Sequence, residues 1–64
     1  MKDYKLFANC YPLEPNKLFC VDTTQYLGTT RPTEKLTWIQ KRRKALQDLG
    51  FKTEIHEVIT NIFK

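Results

Sequence analysis

The stretch PLEPN, residues 12–16, constrains this chain more than any other. Proline has no backbone donor and holds φ near about −65°, so two prolines and an asparagine this close break any strand or helix and favour a turn. On either side lie YKLFANCY, residues 4–11, and KLFCVDTT, residues 17–24, both rich in aromatic and β-branched residues. Two such segments around a turn read as an antiparallel hairpin. A turn centred on Pro15 pairs residues whose numbers sum to 30. Cys10 then faces Cys20, Ala8 faces Asp22, Leu6 faces Thr24 and Tyr11 faces Phe19. Side chains alternate across a strand. One face therefore collects Tyr4, Leu6, Ala8, Cys10, Leu18 and Cys20, with Asp22 near the strand end. The other collects Lys5, Phe7, Asn9, Tyr11, Lys17, Phe19 and Val21.

A helix follows. Residues 25–32 form a connection closed by Pro32, and Thr33 is suited to cap a helix that carries Glu34 in its positive first turn. The expected helix spans residues 33–49 and ends at Gly50, which can take the left-handed position beyond the last turn. From Phe51 the chain is again dense in β-branched residues, and residues 51–58 read as a third strand. Phe51, Ile55 and Ile59 would join the apolar face with Glu57 among them, and Lys52, Glu54 and His56 the other. Ile55, Val58, Ile59 and Ile62 also fit a helical period, so a C-terminal helix is the rival, with Gln25 to Thr29 then supplying the third strand. The expected class is α+β: one domain over residues 1–64, a small β-β-α-β fold with a three-stranded sheet and one helix packed on one face.

Within the helix, KRRK (residues 41–44) interrupts the apolar spacing. At about 100° per residue, and with Lys35 at the origin, Ile39, Leu46, Leu49, Trp38 and Ala45 form one stripe. Four consecutive residues encircle a helix, so KRRK is not one patch. Lys41 and Lys44 face solvent, Arg43 lies at the margin and Arg42 falls in the stripe. A charge beside a core needs a partner, and the strand patterns offer Asp22 or Glu57 to Arg42.

The charge balance admits an anionic partner: the formal net charge is +4 and the pI about 9.3. At 64 residues, with 41% hydrophobic and 28% charged residues, the chain is of soluble globular type and near the lower size limit for independent folding. The start MKDYKLFANCYPL does not read as an export signal, and the sequence has no run of about 18 apolar residues, so the expected location is the cytoplasm, with Cys10 and Cys20 expected as reduced thiols facing the core. Catalysis is not expected. The chain has no serine, and His56 is its sole histidine, placed away from both cysteines. Two cysteines with nine residues between them and one histidine are too few for a zinc site, and Gly28 and Gly50 cannot build a phosphate loop. No metal, cofactor or small-molecule substrate is expected.

One helix covers one face, so the other is left open with Phe7, Tyr11, Phe19 and Val21 on it. An exposed apolar patch marks an interface. The expected binding residues are Lys5, Phe7, Tyr11, Lys17, Phe19 and Lys52, with Lys41 and Lys44 extending the positive field. The first expectation is single-stranded nucleic acid, its bases stacked on the rings and its phosphates tracked by lysines. The alternative is a protein partner, a second copy included. The rim discriminates between them: lysines around the rings favour nucleic acid, and a mixed rim favours protein.

Overall fold

The computed structural model describes residues 2–59. Its elements are strand β1 (Lys2–Cys10), strand β2 (Glu14–Thr23), a short 3-10 turn (Thr24–Tyr26), helix α1 (Pro32–Asp48) and strand β3 (Thr53–Ile59). The sheet is antiparallel with order β2-β1-β3, and α1 packs on β1 and β3. The expected α+β class and β-β-α-β order are both found. Gln25 to Thr29 contain no strand. The rival C-terminal helix is replaced by β3 up to Ile59, and Ile62 lies outside the described residues.

The core sits between the central strand and the helix. Leu6 and Ile39 are fully buried, Tyr4 nearly so, and Leu36, Trp38, Leu46 and Ile55 pack around them. Complete burial of a side chain such as Leu6 contributes about 1.5–3 kcal/mol. Across β1 and β3, Leu6 pairs with Ile55 and Tyr4 with Glu57, as the alternation requires.

Both helix ends follow from local chemistry, one of them differently from the sequence expectation. Pro32 begins the helix, so Arg31 and not Thr33 occupies the cap, and its side chain makes no capping bond. Proline needs no donor in the first turn and its φ is already helical. At the other end Gly50 adopts φ +94°. Its N–H donates to Gln47 O and the Phe51 N–H donates to Leu46 O. These two bonds cap carbonyls of the last turn, where the Leu49 N–H also donates to Leu46 O.

The β1–β2 register differs from the expected one. The turn falls at residues 11–13, around a cis Tyr11–Pro12 bond, so Cys10 pairs with Glu14. Residues 15–17 are then absorbed in an irregularity, after which Asn9 pairs with Leu18, Ala8 with Phe19 and Phe7 with Cys20. A second shift at Val21 brings Asp22 opposite Leu6 and Thr23 opposite Lys5. Asn9 holds the first irregularity in place. Its Nδ2 donates to Pro15 O at 3.3 Å, and its Oδ1 accepts from the Lys52 N–H at 2.8 Å.

Candidate functional site

The register decides what the sheet presents. Directly paired residues share a face, so Phe19 lies on the side of Ala8 and Leu6, toward the helix. Cys20 and Leu18 lie on the far side with Phe7 and Asn9. The expected single aromatic face does not form. Tyr11 is an exposed turn residue and does not face Phe19. Both cysteines are exposed free thiols and not core residues, and they do not face each other. The reason is the odd number of residues taken up at the first irregularity, which turns Leu18, Phe19 and Cys20 over, until the second shift at Val21 restores Asp22 and Thr23.

The expected binding residues therefore separate. On the face away from the helix, Lys5 pairs with His56, and the Phe7 and His56 ring centroids lie 4.5 Å apart. Glu54 pairs with Phe7 and hydrogen-bonds His56 at 3.2 Å. The rim around Phe7 is thus mixed in charge. On β2, Lys17 Nζ lies 5.4 Å from the centre of the Phe19 ring. Lys52 is exposed just before β3, tied to Asn9 through its backbone. Lys41 and Lys44 are exposed on α1.

The KRRK residues diverge as the helical angles require. Arg42 Nε bonds Asp22 Oδ2 on β2 at 2.9 Å, the expected pair, while Arg43 Nε bonds Thr53 Oγ1 on β3 at 3.1 Å. Glu57 instead meets Lys2 at 3.3 Å. These contacts orient the helix. It buries the side that carries Lys35, Ile39 and Leu36 and keeps Arg43 toward β3. The rest of its apolar stripe is left over β2: Trp38 is half-buried, and Arg42, Ala45 and Leu49 are exposed. Arg42 stacks over Trp38, its guanidinium carbon 5.8 Å from the ring centre.

Between that flank and β2 runs a groove of about 210 Å³, lined by Leu6, Val21, Asp22, Arg42, Ala45, Leu46 and Leu49. A shallower depression of about 280 Å³ lies on α1 around Thr33, Glu34, Thr37, Trp38 and Lys41. Sequence reasoning missed the groove. The signal was present in the apolar stripe, which is wider than one strand pair can cover. Also missed was a buried ion pair, Lys35 with Asp3, whose signal was the position of Lys35 at the centre of that stripe.

Among the described residues no three His, Cys, Asp or Glu side chains are placed to hold a metal ion. Cys20 and His56 both flank Phe7, but on opposite neighbouring strands. Two strand spacings, about 9–10 Å, exceed the hydrogen-bond reach that a nucleophile–base couple needs. No helix of the described chain is long and apolar enough to cross a membrane. No protein-family model, curated protein or solved structure matches this chain.

Proposed function

We propose that this protein is a non-enzymatic binding module and that its partner is a polypeptide. One observation carries the reading: among the described residues the outer edge of β2 is unpaired, and it borders an apolar helix flank that they leave uncovered. Val21 is 50% exposed and Leu49 73% exposed across the groove from each other. Soluble domains seldom leave paired apolar walls open beside a free strand edge without using them.

Single-stranded nucleic acid is the weaker reading, although the net charge favours it. A stacking platform needs several rings in one plane, whereas Phe7 and Phe19 lie on opposite faces of the sheet and Phe7 is engaged by His56. The mixed rim of Lys5, Glu54 and His56 also suits protein better than phosphate.

The test is fluorescence anisotropy of labelled oligo-dT and oligo-rU, at low and at physiological salt, beside a selection from a displayed library of unstructured peptides. Convergent apolar peptide sequences, with oligonucleotide binding that vanishes at physiological salt and is unchanged by Phe7→Ala or Phe19→Ala, support the proposal. Oligonucleotide binding that survives physiological salt and falls with either substitution overturns it.

A further inference from the structure

We infer that two copies of this chain pair antiparallel through the outer edge of β3, about a two-fold axis at Ile55, and so continue one sheet into the next. The dimer does not rest on the polypeptide reading, because it leaves the α1–β2 groove of each copy open. In the order β2-β1-β3 the sheet has two outer edges, and among the described residues neither is paired. The β2 edge is broken by two irregularities and by Pro15, which has no donor. The β3 edge is regular. Its register with β1 runs without a shift from Lys2↔Ile59 to Ala8↔Thr53, and Thr53–Ile59 holds neither proline nor glycine. Bulges and prolines are among the means that keep an edge from pairing with another chain, and β3 has neither.

One bond fixes which groups β3 offers. The Asn9 N–H donates to Lys52 O, and in an antiparallel ladder such bonds recur at every second residue. Glu54, His56 and Val58 therefore turn their backbone to β1, and Thr53, Ile55, Glu57 and Ile59 turn theirs outward. Two copies bond outward group to outward group, so the axis must fall on a residue. Axes nearer the strand ends engage fewer residues. An axis at Glu54 or Glu57 sets that glutamate against its own copy. An axis at His56 opposes the two histidines and sets Ile55 against Glu57. An axis at Ile55 sets Ile55 against itself, Glu54 against His56 and Thr53 against Glu57.

Charge favours the axis at Ile55, because opposite charges directly across two strands stabilise them and like charges do the reverse. Glu54 and His56 meet on the face away from the helix, in the narrow kind of pair with Cα atoms about 4.5 Å apart. On the helix face Thr53 Oγ1 accepts from Arg43 Nε at 3.1 Å. Arg43 is half-buried, and among the described residues it has no carboxylate partner. Glu57 of the second copy, opposite Thr53, brings a carboxylate beside it. The helices do not collide. Helix α1 packs on β1 and β3, and an axis above the space between those strands lies about 14 Å from its copy at the usual strand spacing, beyond the roughly 8–10 Å of helices in contact.

The experiment is sedimentation equilibrium of the full chain in reductant, which excludes disulfide-linked dimers. A concentration-dependent dimer is expected. Glu57→Pro removes a donor that points away from β1 and should weaken the dimer at least tenfold. His56→Glu sets like charges across the axis and should also weaken it at least tenfold. Glu54→Lys added to His56→Glu restores opposite charges and should return the dimer to within threefold of the unsubstituted chain. All these positions are exposed, and circular dichroism checks the fold of each variant. Leu49→Gln, in the groove, should leave the dimer unchanged. A monomer at every concentration overturns the inference, and so does a dimer that survives Glu57→Pro. A dimer that the double variant fails to restore overturns the axis at Ile55. A dimer that Leu49→Gln abolishes places the second copy in the groove and overturns the inference as well.

Discussion

Lys35 Nζ lies 2.9 Å from Asp3 Oδ1, with 2% and 6% of the two side chains exposed. The same ammonium donates to Lys2 O at 3.2 Å, and Thr24 Oγ1 lies 3.2 Å from the same carboxylate oxygen while accepting from the Tyr4 N–H. One ion pair thus ties the helix to the first strand and to the turn that follows the hairpin. Removing either member alone breaks a buried ion pair, at a cost of about 3–5 kcal/mol. Lys35→Ala and Asp3→Ala should each lower the urea midpoint steeply. Lys35→Met with Asp3→Leu should recover most of the loss, because an apolar pair of similar volume carries no desolvation penalty. Thr24 keeps Tyr4 O as an acceptor in that variant.

Asn9→Ala should be costly for a different reason. It removes the acceptor of the Lys52 N–H and the donor to Pro15 O, and so unfastens the irregularity that sets the β2 register. An unsatisfied buried group costs about 1–3 kcal/mol. Chemical denaturation should show a loss in that range, with accelerated amide exchange along Lys17–Cys20.

Arg42→Ala should barely change stability. Its bond to Asp22 is short, but the arginine is largely exposed, and exposed pairs contribute about 0.2–1 kcal/mol. Denaturation at low salt should show a small loss that shrinks as salt rises.

The two cysteines should not form an internal disulfide. Cys20 stands opposite Phe7, three residues along β1 from Cys10. That is about 10 Å along the strand, beyond the roughly 7 Å that a bridge can span between Cα atoms. Iodoacetamide under native, oxidising conditions should label two thiols per chain by mass spectrometry, and any disulfide formed should link two chains.

The parts legible in the sequence were those governed by local chemistry. Gly50 ends the helix because only a left-handed residue fits there. Arg42 found Asp22 because both lie on the helix side of their elements, a parity that survives the two irregularities of β2. The register of β2 was not legible, because the uptake of residues 15–17 after the turn at Pro12 has no local signature, and that odd number inverts Leu18, Phe19 and Cys20 together. Lys41 and Lys44 were rightly placed in solvent. The burial of Lys35 could have been read from its helical angle, but its partner could not. Asp3 comes from the first strand, 32 residues away.

A nitrogen–proton correlation spectrum of the full chain, titrated first with a peptide selected from the displayed library and then with oligo-dT, distinguishes the groove from the far face of the sheet. A polypeptide in the groove requires the largest shifts at Val21, Asp22 and Leu46–Leu49, produced by the peptide and not by the oligonucleotide. Shifts centred on Lys5, Phe7 and His56, with either probe, would contradict it.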